Sequence, residues 1–436
     1  MTVRGLPGAD LCVHCGFCTQ ACPTYLTLDD ENDSPRGRIV LMKALAKGGF
    51  SAEDESLMLS HLDNCLGCRA CETACPSGVP YGELLEAVRA DTLSQRPLQF
   101  VSRLILFVFA RPALLRLAML KVRLIRATGL SRLLARMPGR LGIACATLET
   151  TRRPSHGIER RLPRPAVARP AIGPDPAKPS PAAAREAEAR AHVAVLTGCV
   201  MEGLLAPVNR ATERVLSRNG YEVVSAPGQR CCGALHAHAG QEAAAQELAR
   251  INIAAFEASR AEFIAVNSAG CGAAMKEYGR LLAGSPEWRE RAMAMAARVR
   301  DVSELLADAG PEPAAAATDA AVAVDHPCHL LHAQRLSEPP ARVLAAMQGL
   351  NARELPDAVD CCGSAGLFSL AQPGLSQRIL APKLENIRKC GASVVVTGNP
   401  GCMMHIGAGL LRSGSPAVTR HPVELLDDAY SARSAQ

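Results

Sequence analysis

Apolar residues change their spacing along the chain, and the changes outline its organisation. Ile39-Val40-Leu41-Met42-Lys43-Ala44-Leu45 sets apolar side chains at helical intervals, and a second helix is expected over Glu53 to Leu62. Between Arg96 and Arg140, the runs Leu104–Phe109 and Leu114–Leu120 interleave with basic residues, again as helices. Eight prolines from Pro154 to Pro181, set among Ala and Arg, deny the next stretch regular hydrogen bonding, so a linker belongs there. Beyond it come strand-sized apolar runs: Val193–Leu196, Phe263–Val266, Ala321–Val324 and Val394–Val396. Helical segments near 203–218, 240–259, 338–349 and 374–389 separate them. Strands alternating with helices imply parallel βαβ units. The expected class is α followed by α/β, in five parts: 1–95 helical, 96–149 basic and apolar, 150–190 linker, and two βαβ units at 191–310 and 311–436.

The cysteines supply the chemistry. Cys12, Cys15, Cys18 and Cys22-Pro23 form one run and Cys65, Cys68, Cys71 and Cys75-Pro76 another, both spaced C-x2-C-x2-C-x3-C-P. Three thiolates from one tight loop can bind three irons of a [4Fe–4S] cube, and the fourth Cys of each run ligates the other cube. The expected sets are therefore Cys12, Cys15, Cys18 and Cys75, and Cys65, Cys68, Cys71 and Cys22. Structural zinc would leave the third cysteine of each run redundant. The long spacer between the runs fits a helical two-cluster ferredoxin domain rather than a compact hairpin-linked one. Arg36 and Arg38, in Ser34-Pro35-Arg36-Gly37-Arg38, are candidates for raising a cluster's potential, with plain surface arginines as the alternative.

The C-terminal half repeats a second cysteine pattern: Cys199, Cys231-Cys232-Gly233 and Cys271, then Cys328, Cys361-Cys362-Gly363 and Cys402. The intervening counts are 31 and 38 residues in the first set, 32 and 39 in the second, which points to an internal duplication. Each outer cysteine follows a strand's C-terminal end, where open α/β sheets gather their sites. Four thiolates there can hold a further cluster, zinc or a redox-active dithiol. His326, His329 and His405 lie beside the second set and His236 and His238 follow the first; Cys145, Cys390 and Trp288 read as packing residues.

Composition narrows the setting. Eighteen cysteines without an export-like N-terminus favour metal ligands over disulfides and a cytoplasmic location. A net charge of +6 over 436 residues gives no reason to expect a nucleic-acid partner. The segment from Arg96 to Arg140 holds ten Arg or Lys, and no acid lies between Asp91 and Glu149. Such helices suit peripheral contact with the inner face of a membrane, an acidic partner subunit, or the chain's own core. No GxGxxG fingerprint or phosphate loop is present.

The paired C-terminal patterns resemble the CCG, or cysteine-rich, domain family, although the fullest form ends in CxxC. Here the ends are Cys271-Gly-Ala-Ala274 and Cys402-Met-Met-His405. With Cys12-Val-His-Cys-Gly-Phe-Cys, Ser34-Pro-Arg-Gly-Arg, His61-Leu-Asp-Asn-Cys65, Cys75-Pro-Ser-Gly-Val and Cys361-Cys-Gly-Ser-Ala-Gly366, the chain closely resembles the glycolate oxidase (glycolate dehydrogenase) iron–sulfur subunit family. That resemblance implies an electron-transfer subunit, not itself catalytic on glycolate. It would work beside an FAD-containing subunit and pass electrons to quinone or another membrane acceptor. The alternatives are the equivalent subunit of an anaerobic glycerol-3-phosphate or lactate dehydrogenase, a heterodisulfide-reductase-like thiol/disulfide subunit, and a module carrying structural zinc only.

Overall fold

A computed structural model describes residues 5–94, 98–151 and 190–434. The linker expected at 150–190 falls almost wholly outside them.

The N-terminal region is helical, as the apolar spacing implied. Ser34 caps the helix Pro35–Lys47 by accepting from the Gly37 amide at 3.0 Å, with Pro35 pre-set for the first turn. Ser51 caps Ala52–Asp63 in the same way, through the Asp54 amide at 3.1 Å. Ile39, Met42 and Leu45 from the first helix meet Leu59 and Leu62 from the second and Leu84, Leu85 and Val88 from Tyr81–Thr92. This small core holds the two cysteine loops at one end.

The C-terminal half contains two four-stranded sheets, parallel throughout. The first comprises β1 (His192–Val195), β2 (Glu222–Val224), β3 (Phe263–Val266) and β4 (Val299–Asp301), in the order β2-β1-β3-β4. Next, β5 (Ala314–Ala315) pairs with β7 (Met347–Gln348) as a two-residue bridge. The second sheet uses β6 (Val322–Val324), β8 (Ala352–Glu354), β9 (Val394–Val396) and β10 (Val418–Arg420), in the order β8-β6-β9-β10. Each sheet thus places its own strands second-first-third-fourth, so the duplication extends from cysteine spacing to topology.

The two units pack as an internal pseudo-dimer. Helix Val302–Ala309 of the first lies on Glu338–Ala345 of the second, and helix Pro422–Ser434 of the second lies on Ala206–Arg218 of the first. Each unit's last helix contacts its neighbour's first long helix, a reciprocal arrangement expected of two-fold symmetry. One core, including Val195, Val208, Val215, Leu306, Val324, Val343, Val396 and Leu426, runs through both units. Arg214 clamps Asp427 across the join with two contacts of 2.9 and 2.6 Å.

The basic segment folds into four helices: Phe100–Phe109, Pro112–Ala127, Leu130–Leu134 and Gly139–Glu149. It divides its apolar residues between inside and outside. Leu106 is buried, Phe109 and Leu115 pack against the first α/β unit, and Cys145 and Ala146 pack with Ala408 of the second. Phe100, Val101, Leu104, Phe107, Leu117, Leu120 and Leu124 stay exposed. Among the described residues no helix is long and apolar enough to cross a membrane.

Candidate metal centres

The two N-terminal loops enclose two adjacent voids. Cys12, Cys15, Cys18 and Cys75 line one, and Cys22, Cys65, Cys68 and Cys71 line the other, with Cys71 reaching the first as well. The chain thus carries the fourth cysteine of each run across to the other run's loop. Burial pushes the Cys22 and Cys71 thiols up, and for Cys71 the neighbouring Cys68, Cys65 and Cys22 push it further. Crowded, desolvated thiols ionise together only beside a strong cation, so the donor sets fit a thiolate-bound metal centre such as an iron–sulfur cluster.

The paired α/β units build two more thiol chambers, each fed by three adjacent strands. In the first, Cys199 follows β1, Cys231 and Cys232 follow β2, and Cys271 follows β3. In the second, Cys328 follows β6, Cys361 and Cys362 follow β8, and Cys402 follows β9. Strand order brings these loops together at one sheet edge, the usual location of α/β sites. The Sγ atoms of Cys199 and Cys231 are 3.5 Å apart, and those of Cys362 and Cys402 are 3.2 Å apart. The hydrogen bond to Cys231 and burial hold Cys199 well above the usual thiol range, and the bond to Cys362 and burial do the same for Cys402. After each CC pair the backbone turns through a left-handed glycine, Gly233 at φ 84° and Gly363 at φ 82°. A Cβ on Gly363 would stand 2.8 Å from the Ser376 carbonyl oxygen.

The two chambers differ in their surroundings. Cys361 shares a buried cluster with Cys68 of the second cysteine loop, together with Leu66, Phe368 and Ile379. The first chamber is instead closed by Phe109 and Leu115 from the basic segment. On its ferredoxin side lies a charged cavity lined by Arg69, Glu86, Arg89, Cys232, His238, Glu277, Arg280 and His329, among other residues.

Comparison with known proteins fits this arrangement. A 4Fe-4S dicluster domain family matches residues 8–79, and the cysteine-rich (CCG) domain family matches 193–276 and 322–407. A probable glycolate oxidase iron-sulfur subunit of Bacillus subtilis (strain 168) is 36% identical over 435 residues, 97% of this chain and 94% of that protein. The glycolate oxidase iron-sulfur subunit of Escherichia coli (strain K12) is 34% identical over 428 residues, covering 96% and 93%. The chain belongs to the glycolate oxidase iron–sulfur subunit family. Lactate utilization protein A of Exiguobacterium sp. (strain ATCC BAA-1283 / AT1b) is similar over a shorter stretch, 30% identical over 54% of this chain and 97% of that protein. The dicluster domain at residues 8–79 gives this glycolate oxidase family member two [4Fe–4S] clusters.

Both arginines singled out lie beside a thiol set, Arg36 at the first void and Arg38 at the second, and Arg38 is the buried one. It is fully buried, with Nη1 3.9 Å from Cys22 Sγ and 3.0 Å from Thr24 Oγ1, Nη2 2.9 Å from Asp33, and Nε donating to the His61 carbonyl at 2.7 Å. Burial opposes its charge, but Cys65, Tyr81, Cys22 and Asp33 outweigh that and raise its pKa. Arg36 is half-exposed, paired with Glu31 at 2.6 Å, and donates to the His14 carbonyl at 3.3 Å.

The histidines take separate roles. His329 Nδ1 lies 3.5 Å from Cys328 Sγ, while His405 sits 3.0 Å from Ser376 Oγ. His236 donates to the Leu106 carbonyl at 3.2 Å, His238 pairs with Glu86 at 2.8 Å, and His326 faces Glu354 at 3.1 Å. Trp288 packs beside the first unit's core under Arg291, and Cys390 beside the second's.

Sequence reasoning missed several features of this glycolate oxidase family fold. Lys383 and Asp325 form a buried ion pair at 2.7 Å behind the second chamber, with Thr397 donating to Asp325 at 2.8 Å. Nothing in their spacing announced it. A further repeat was visible: Glu304-Leu305-Leu306 and Glu424-Leu425-Leu426 begin equivalent helices, each Glu accepting from the amide three residues earlier, at 2.7 and 2.9 Å.

Proposed function

We propose that this chain is the electron-transfer subunit of a flavin-dependent 2-hydroxy-acid (glycolate) dehydrogenase complex. It takes electrons from an FAD-containing subunit and delivers them to quinone or another membrane acceptor. Cys12, Cys15, Cys18 and Cys75 hold one cluster, and Cys22, Cys65, Cys68 and Cys71 the other. When bound, the two [4Fe–4S] clusters supply one-electron storage at each set. The observation that carries the reading is the row of thiol chambers: two adjacent ferredoxin voids, the second with its Cys68 in the same buried cluster as Cys361 and Cys328 of a CCG set.

The chain's own residues provide insulation and bias. Leu66, Phe368 and Ile379 keep water from the Cys68–Cys361 contact, and Arg38 places positive charge beside Cys22. The exposed apolar residues between Phe100 and Leu124, with Arg103, Arg111, Arg116, Lys121 and Arg123 among them and no acid, suit an anionic membrane surface.

The test is glycolate-driven reduction of the chain's clusters, followed by EPR in the presence of the flavin-bearing subunits. Signals that appear with glycolate support the reading. Signals that appear with lactate but not glycolate would favour the lactate branch, which the similarity to lactate utilization protein A keeps in view.

A further inference from the structure

The two cysteine loops have the same spacing and opposite surroundings. In the second loop, Leu66 follows the first cysteine and is 7% exposed, covered by Phe368 and Ile379 of the second CCG unit. Val13 holds the same place in the first loop and is 69% exposed. Phe17, ahead of the third cysteine, is 66% exposed, and Leu11 and Cys15 are exposed as well. Apolar side chains therefore ring the first thiol set with nothing from the described chain upon them. A loop built to this pattern already has an apolar protein surface seated on it inside the molecule.

We propose that the first cysteine loop is the docking face for the flavin-bearing subunit, which covers Leu11, Val13 and Phe17 as the second CCG unit covers Leu66. The proposal rests on the electron-transfer reading and adds its direction: entry at the first loop, passage inward at the second. Electron transfer weakens steeply with distance, so the donor must approach a cluster's own loop. The second loop is occupied, and the first chamber is closed by Phe109 and Leu115. A lipid surface is the poorer occupant, because the charges beside the first loop are mixed. Asp10 pairs with Lys43 and Glu31 with Arg36, whereas the acid-free basic face lies on the helices from Phe100 to Ala127. The step across the interface is the passage of two single electrons in succession from a reduced flavin. No bond is made or broken in this chain, and the flavin's protons leave on its own side.

The test places a photo-crosslinking benzoylphenylalanine at Val13, or at Leu124 as control, in the full chain co-expressed with the flavin-bearing subunits. It also compares Leu11→Glu with wild type for iron content, EPR after dithionite, and the rate of glycolate-driven cluster reduction. Expected are crosslinks to the flavoprotein from Val13 and not Leu124. Leu11→Glu should keep its iron and EPR signal while glycolate-driven reduction at limiting flavoprotein slows about tenfold or more. Crosslinks from Leu124 alone, or unchanged reduction in Leu11→Glu, would overturn the docking face while leaving the electron-transfer function standing. A wild-type chain that the flavoprotein and glycolate cannot reduce would overturn both.

Discussion

Arg38 offers a direct test of how this chain biases its second cluster. Replacing it with Met removes a buried positive charge 3.9 Å from Cys22 Sγ. A full unit charge at about 4 Å in an effective dielectric near 20 is worth roughly 4 kcal/mol. The added electron spreads over a four-thiolate set, and Asp33, 2.9 Å from the guanidinium, cancels part of its field. About 1 kcal/mol should remain, a fall in potential of roughly 40 mV for a one-electron couple. Asp33→Asn removes the opposing charge and should raise the potential by a similar amount. Arg38→Lys keeps the charge but loses the planar donor geometry, so it should lose stability with little shift in potential. EPR-monitored redox titration reads all three. Equal shifts of the same sign in Arg38→Met and Asp33→Asn would refute the electrostatic account, since general loosening of the loop has no reason to follow the sign of the charge.

Three further outcomes follow from buried contacts. Lys383→Met leaves Asp325 buried and unpaired, so it should destabilise by about 3–5 kcal/mol and lower the Tm by roughly 6–20 °C; adding Asp325→Asn should recover much of that loss in calorimetry. Gly363→Ala combines positive φ with a close carbonyl and should destabilise by about 1–2 kcal/mol in thermal melts. Burial pushes the Glu86 carboxyl up, but its hydrogen bond to His238 and the charges of His238 and Arg280 dominate and hold it at about 2, against an ordinary 4.5. Its stabilisation is therefore complete above pH 4.5 and lost as pH falls toward 2, and Glu86→Gln should flatten that acid limb of a stability–pH curve by about 3 kcal/mol.

Strands buried on both faces were the legible part of the fold. Phe263–Val266 and Val394–Val396 are unbroken apolar runs because they lie inside their sheets. Glu222–Val224 and Ala352–Glu354 are edge strands that carry charged residues and stay partly or fully exposed, so no unbroken apolar run announces them. The helix expected over 338–349 stops at Ala345, because Met347 and Gln348 pair with Ala314 and Ala315 instead. Cysteine spacing made both kinds of thiol set legible, since loop reach is local. The Cys68–Cys361 contact was not, because it joins two domains and depends on how they dock.

The pseudo-two-fold arrangement has an evolutionary consequence. A symmetric ancestral pair would have offered two interchangeable thiol chambers, and a single appended ferredoxin domain cannot serve both alike. Here its second loop meets one chamber through a shared buried cluster, while its helix Tyr81–Thr92 meets the other across charged residues. Fusing the copies into one polypeptide lets each accumulate changes that its twin need not share, as Ala274 and His405 already differ at matching places in the third cysteine motif. Duplication thus provided a scaffold in which one ancestral site could become two specialised ones.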